Sequence, residues 1–150
     1  MANSQAVCTS FKTEIMNGVH ALGTTVARAG TTADTFKAAL YVATASIGAG
    51  TTAYSATGEV SGTNYTAGGA TFTWVAPTSS GTTAYSTPSA SIVWTTVTLS
   101  TAFDCVLLYN STQSNKAVAA YTFGSQTVTA GDFTLTMPTN NSTTGLLRIS

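Results

Sequence analysis

Charged side chains are scarce in this chain. It has five Lys and Arg residues and five Asp and Glu residues among 150, so that 7% of its residues are charged, against about 25% in a typical soluble domain. Nucleic acids and anionic membranes are held by clusters of basic side chains, so we expect neither to be a partner. Charge also helps to keep sheet edges apart, and its scarcity indicates that much of the surface is covered in the working assembly.

Signals for export or membrane insertion are also missing. The first residues, MANSQAVCTSFKTE, lack the basic region and apolar core of a secretory signal. No apolar run reaches about 18 residues, the length that indicates a membrane-spanning helix. We therefore expect a protein made in the cytoplasm. The two cysteines, Cys8 and Cys105, belong to no CxxC motif or Cys/His cluster, which predicts two free thiols.

Residue types that form catalytic and metal sites are few and scattered. His20 is the only histidine; no metal ligand stands three or four positions from it, and we expect it to be exposed or at a helix end. The carboxylates are Glu14, Asp34, Glu59, Asp104 and Asp132. A glycosidase-like pair would require the fold to unite two of them. We expect a protein without enzymatic activity, metal or cofactor.

The glycine-rich segment GEVSGTNYTAGG, Gly58–Gly69, raises the question of phosphate binding. It lacks the Lys followed by Ser or Thr of a P-loop, and it does not join an apolar strand to a helix. The other interpretation is that its glycines supply the positive φ of consecutive turns ahead of a strand around Phe72. We predict turns here, not a nucleotide site.

One segment near the amino end has helical periodicity. Four apolar residues recur at spacings of four and three, which places them on one face of a helix: Phe11, Ile15, Val19 and Leu22. Ser10 is the predicted N-cap and Gly23 the predicted end. The apolar face can pack on its own chain or contact neighbouring chains, and both alternatives stay open. Residues 24–33 are predicted to be a polar connector.

From Asp34 onward the apolar period is two, which is typical of strands. Seven segments fit: DTFKAALYVA, ATFTWVA, SIVWTTVTL, FDCVLLY, KAVAAYTF, GDFTLTM and GLLRI. Turn clusters such as TAGD separate them, and CVLLY, apolar on both faces, is the predicted central strand. The pattern predicts a single domain, residues 1–150, that is mainly β. A jelly-roll-like antiparallel sandwich of about seven to eight strands covers residues 34–150, and one short helix with its connector covers residues 1–33.

Aromatic residues stand at two kinds of position. Trp74 and Trp94 lie within predicted strands, where an internal Trp is more often core than a sugar platform. Tyr54, Tyr65 and Tyr85 stand in turn-rich segments, where we expect partly exposed rings that contact a partner. These tyrosines and the apolar helix face together form the predicted interface.

Six phrases spread along the chain carry a family resemblance. They are DTFKAALY, YSATGEVSGTNYTAGG, APTSSGTTAY, LLYNSTQSNKAVAAYTFGS, GDFTLTMP and LLRI. Together they resemble a family of small virion proteins from tailed bacteriophages, and the resemblance extends from Phe11 to Ile149. Asn64 stands where Gly is expected in the family phrase, which raises a question about the backbone conformation there.

The resemblance implies a non-enzymatic component of the virus particle. We expect a capsid cement or decoration protein on the exterior of the head, which binds the major capsid protein and other copies of itself, with a trimer as the usual symmetry of such proteins. The alternative is a tail or connector component that contributes to receptor contact through the tyrosine-bearing loops. Either protein would be made in the host cytoplasm.

Overall fold

The structure is a computed structural model that describes residues 2–23 and 32–150. Along these ranges the elements are β1 (Ala6–Val7), α1 (Thr9–Met16), β2 (Phe36–Val42), β3 (Ala70–Phe72), β4 (Thr78–Ser80), β5 (Thr83–Ser86), β6 (Ile92–Asn110), β7 (Lys116–Leu135) and β8 (Leu147–Ile149). The described strands form a five-stranded sheet, β1-β7-β6-β2-β3, and a three-stranded sheet, β4-β5-β8. The mainly β, antiparallel fold with one short helix in the described ranges confirms the predicted class and is consistent with a β-sandwich. The predicted connector lies mostly outside the described residues.

A long hairpin of β6 and β7 forms the centre of the larger sheet. Its pairing runs from Ile92 opposite Leu135 at the open end to the turn that follows Asn110. The prediction of two separate strands on each side of this turn was wrong. Register shifts interrupt the ladder, and Thr96 and Ala130 adopt φ values of 51° and 47°. Such bulges bend a strand without ending it, so the predicted TAGD turn lies inside β7.

The core is richest where β6 passes between β2 and β7. Residues 105–109, the run CVLLY, are all buried there, which confirms the prediction of a central strand. Trp74 is also buried and meets Phe72 edge-on, with ring centroids 5.3 Å apart. Trp94 is buried against Phe133 at 5.8 Å. Both tryptophans are therefore core residues, as predicted.

Helix α1 is shorter than the periodicity predicts. It ends at Met16, and its N-cap is Cys8, not Ser10; in the described part of the chain no side chain caps it. Gly18 has a φ of 66°, a conformation that glycine adopts at little cost, and it turns the chain away from the helix axis. Val19 and Leu22 consequently lie beyond the helix, and the prediction of one continuous four-residue face was wrong.

The segment Gly58–Gly69 forms consecutive turns, as predicted. Positive φ values occur at Gly58 (79°), Gly68 (89°) and Gly69 (75°). A Cβ atom on Gly69 would collide with the carbonyl group of Ala38. Asn64 also has a positive φ, 60°, and its amide donates a hydrogen bond to the carbonyl of Thr96 at 2.9 Å. Asparagine tolerates this region better than most residues, which explains how Asn64 occupies a position where Gly is expected.

The two thiols are free and buried, which confirms the prediction for Cys8 and Cys105. Burial is the main cause that raises their pKa values, to about 11 for Cys8 and about 12 for Cys105. At neutral pH both are protonated and unreactive, because the thiolate is the nucleophilic form.

Candidate interaction surface

An apolar groove lies between α1 and β8. Its larger part has a volume of about 420 Å³ and is lined mainly by Val7, Phe11, Ile15, Met16, Leu147 and Ile149. A smaller part of about 210 Å³ shares Ile15, Leu147 and Ile149 and adds Leu22 and Tyr85. The two parts adjoin through the three residues that they share, and together we call them the α1–β8 groove.

Both walls of the groove are held by the larger sheet. The backbone N–H of Cys8, just before α1, donates to the carbonyl of Val118 in β7 at 3.0 Å. On the other wall, the hydroxyl of Tyr121, also in β7, donates to the carbonyl of Leu146 at 2.6 Å, immediately before β8. The groove is therefore built on a common support, although its two walls come from opposite ends of the sequence.

Exposed apolar side chains are concentrated at this groove. In the described ranges three large apolar residues are exposed: Met16 (87%), Ile149 (52%) and Val93 (41%). Met16 and Ile149 border the groove, whereas Val93 lies on β6. A single exposed apolar residue is ordinary, but two of them beside a common apolar groove are typical of an interaction surface.

The groove also offers backbone hydrogen-bonding groups. Among the described strands β8 pairs only with β5, so its opposite side is a sheet edge. An edge strand presents N–H and C=O groups to which another extended chain can pair. The surface therefore combines apolar area with a short template for strand addition.

The predicted interface residues divide into two groups. Ile15, Leu22 and Tyr85 line the groove, and Phe11, which is 1% exposed, forms part of its floor. Val19 is half-buried outside it. The structure thus brings together residues that the sequence placed on the helix and on a turn-rich segment. The sequence did not indicate that Leu147 and Ile149 belong to this surface, because a short apolar segment near the chain end does not reveal which residues it packs beside.

Tyr54 and Tyr65 use their hydroxyl groups within the chain. Both donate to Glu59, at 2.6 and 2.8 Å, and the backbone N–H of Gly68 donates to the same carboxylate at 2.8 Å. Tyr54 also stacks on Tyr109 with ring centroids 4.8 Å apart. Burial and the hydrogen bond to Glu59 raise the pKa of Tyr54 to about 12. The rings stay partly exposed, but their hydroxyls are not free for a partner.

His20 lies at the centre of a polar network, and the prediction that it is exposed or helix-terminal was wrong. Its side chain has 0% exposure. Its Nε2 lies 2.8 Å from Glu14, and the amide nitrogen of Asn110 lies 3.0 Å from its Nδ1. The Asn110 oxygen accepts the backbone N–H groups of Thr112 and Gln113, which fixes the orientation of the amide. Nδ1 is therefore the acceptor, and the ring proton lies on Nε2 facing Glu14.

The same network ties the amino-terminal segment to the hairpin. The ammonium of Lys116, in β7, donates to Glu14 at 2.6 Å. Burial acts to raise the pKa of Glu14, but the hydrogen bonds from Lys116 and His20 and the charge of Lys116 outweigh it and hold that pKa below its ordinary value. Both ring nitrogens of His20 and both oxygens of Glu14 are thus engaged in fastening α1 to the sheet.

All five carboxylates of the chain have partners within the protein. Glu14 and Glu59 have those described above. Asp34 accepts hydrogen bonds from the backbone N–H of Ala21 at 2.8 Å and from the amide of Asn110 at 2.7 Å. Asp104 accepts one from the amide of Asn3 at 2.7 Å, and Asp132 accepts one from the backbone N–H of Thr96 at 2.7 Å. In residues 2–23 and 32–150 no group of three or more His, Cys, Asp or Glu side chains is placed to hold a metal ion.

Comparison with protein-family models, curated proteins and solved structures gives no significant match. Among the described helical residues, no helix has the length and apolar character needed to cross a membrane. The resemblance to virion proteins thus stays a prediction.

Proposed function

We propose that this protein is a non-enzymatic structural component of a phage virion, a cement or decoration protein that binds and stabilises the outer surface of the head shell. The observation that carries the proposal is the α1–β8 groove, where exposed apolar side chains lie beside an open strand edge on a hydrogen-bonded antiparallel support. Adhesion through buried area requires such a surface. The sequence resemblance supports the assignment to the virion.

The outer edge of β7 supports association with other copies. β1 pairs with β7 only at Ala119 and Ala120, so residues 121–135 have no strand on that side within the described ranges. This stretch contains one charged residue, Asp132, and neither Lys nor Pro. Lys and Pro are residues with which proteins commonly block pairing at sheet edges. Two chains can therefore pair here through backbone hydrogen bonds, and Asp132 is the one charged side chain that each contributes.

The available surface is sufficient for both kinds of contact. A standard interface covers about 800 Å² on each partner, and the accessible surface of the chain is 7467 Å². Each contact would therefore cover roughly a tenth of the surface. When several joined copies bind a repeating shell, each holds the others near their sites, so that individually weak contacts suffice.

The experiment compares phage particles with and without the protein. We expect particles that lack it to have complete heads that release their genome at lower temperature or on addition of a chelator, and purified protein to restore resistance. Electron microscopy should then show added density on the head exterior. Normal heads with defective tails would contradict the cement proposal and favour the alternative, a tail or connector component.

A further inference from the structure

We propose that the α1–β8 groove binds an extended segment of a different protein, rich in alternating apolar residues and carrying a carboxylate, which adds to β8 as a strand. The identity of that protein as a component of the head shell rests on the proposed function. It specifies the chemistry that the partner must present.

The charges at the groove select for an acidic partner. Lys12 on α1 and Arg148 on β8 both line the larger part of the groove and are exposed. The Lys12 ammonium has no hydrogen-bond or ion-pair partner among the described residues, and the Arg148 guanidinium donates to the carbonyl of Thr143. No acidic side chain of the described chain lines either part. A carboxylate that enters this part of the groove is attracted by both cations, and a basic segment is repelled.

That carboxylate comes from another kind of chain. Every Asp and Glu of this protein is already hydrogen-bonded internally, from Glu14 with Lys116 to Asp132 with the Thr96 N–H. The one exposed Asp or Glu side chain that a second copy would bring is Asp132, which lies on the β7 edge. Association through the β7 edge requires no charge, so the two surfaces have different partners: the edge takes a copy, and the groove takes a different protein.

The shape of the groove favours an extended segment. The open side of β8 supplies the backbone N–H and C=O groups of alternate residues, and a peptide that pairs with them is held as an added strand. Alternate residues of a strand lie on the same face. Every second side chain of the added strand would therefore lie beside Leu147 and Ile149, near the exposed Met16. The side chains between them, on the face of Arg148, would include the carboxylate.

The test begins with a displayed library of random dodecapeptides. Peptides are selected on the wild-type protein and counter-selected on Ile149→Asp, which places a charge in the groove at an exposed position. We expect enrichment of peptides in which Asp or Glu is flanked by apolar residues at alternate positions. No enrichment, or enriched peptides without acidic residues, would overturn the inference.

A charge reversal then tests the best selected peptide. Its affinity is measured by fluorescence anisotropy for the wild type, for Lys12→Glu/Arg148→Glu, and for Val93→Asp, which alters an exposed apolar residue outside the groove. We expect the charge-reversed protein to bind the selected peptide about tenfold or more weakly than the wild type does. It should bind the peptide whose acids are replaced by Lys more tightly than the wild type does. Val93→Asp should bind the selected peptide with wild-type affinity. Unchanged affinity in the reversed protein contradicts the proposal, as does a homodimer that Ile149→Asp abolishes. Matching thermal unfolding of the variants serves as the folding control.

Particle binding separates this inference from the proposed function. If wild-type protein decorates stripped heads and the charge-reversed variant does not, both hold. If both proteins decorate the heads, the function stands and the inference fails. If neither decorates them while the selected peptide still discriminates the variants, the inference stands and the assignment to the head surface fails.

Discussion

A single carboxylate, Glu59, organises the segment whose glycines resemble a phosphate-binding loop. It accepts hydrogen bonds from Tyr54, Tyr65 and Gly68, so the loop folds around an anion that belongs to the protein itself. The positive φ of the glycines follows from their residue type and was predictable. The role of Glu59 was not, because its three donors follow no helical or strand period in the sequence.

Glu59→Gln should destabilise the protein. The amide keeps one acceptor oxygen but turns an NH₂ group toward an O–H or N–H donor, so we expect the free energy of unfolding to fall by about 1.5–3 kcal/mol. Urea denaturation measures this change. Asp132→Asn is the matched control, since Asp132 is exposed and accepts one backbone hydrogen bond. Equal losses in the two variants would show that Glu59 has no special role in the loop.

Gly69→Ala tests the backbone of the same segment. Its φ of 75° and the nearby carbonyl of Ala38 leave no room for a Cβ atom, so we expect a loss of about 1–3 kcal/mol in the free energy of unfolding. Gly50→Ala is the control, because a Cβ there meets nothing within 4 Å and the φ is not positive. A stable Gly69→Ala protein would mean that the turn has a different conformation.

At the scale of elements, local pattern and tertiary pairing disagree in two places. The apolar periodicity predicted a helix that continues past Met16, but the chain turns away at Gly18. The TAGD sequence predicted a turn at Gly131, but β7 continues there because its pairing with β6 passes through a bulge. The sequence therefore predicted the type of each element better than its length. The attachment of α1 through Glu14, His20 and Lys116 was not predictable either, since these residues are far apart in the chain.

The attachment of α1 should depend on pH. The folded-state pKa of Glu14 is below its ordinary value of 4.5, so ionised Glu14 stabilises the fold above that pH, and the contribution is lost as pH falls through the lower folded pKa. We expect Glu14→Gln to be less stable than the wild type near neutrality and the difference to shrink below pH 4.5. Chemical denaturation across this range measures it.

Lys12→Gln is the control for this pH dependence. Lys12 lies on the same helix and has no ion-pair partner in the described ranges. Its difference from the wild type should therefore stay constant over the same pH interval. A Glu14→Gln difference that is equally constant would exclude the ion pair as the source of stability.

At the scale of the whole molecule, the class of fold follows from the sequence but the interaction surface does not. Alternating apolar residues and frequent turns predict an antiparallel sandwich. The groove, however, joins α1, residues 9–16, to β8, residues 147–149, and this proximity depends on strand pairing across the whole chain. The strand order β1-β7-β6-β2-β3 likewise leaves one side of β7 open, which no local pattern indicates.

The open edge of β7 predicts self-association. We expect wild-type protein to form oligomers at increasing concentration in analytical ultracentrifugation. Thr127→Lys, an exposed substitution on this edge, should shift the equilibrium toward monomer because a strand-edge lysine opposes pairing. Thr57→Lys, an exposed substitution in the turn that precedes Gly58 and lies beside β2, should have little effect. A wild-type monomer at every concentration would contradict self-association through this edge.

The burial of both tryptophans gives the protein two internal optical reporters. Trp74 lies with Phe36 and Phe72, and Trp94 lies with Phe133 toward the open end of the hairpin. Indole fluorescence should therefore be blue-shifted in the native state and move to longer wavelength on denaturation. In Trp74→Phe and Trp94→Phe the remaining ring reports on one region alone. Coincident emission shifts in the two variants would show that the β2–β3 region and the open end of the hairpin melt in one cooperative transition, which is the outcome we expect for a domain of this size.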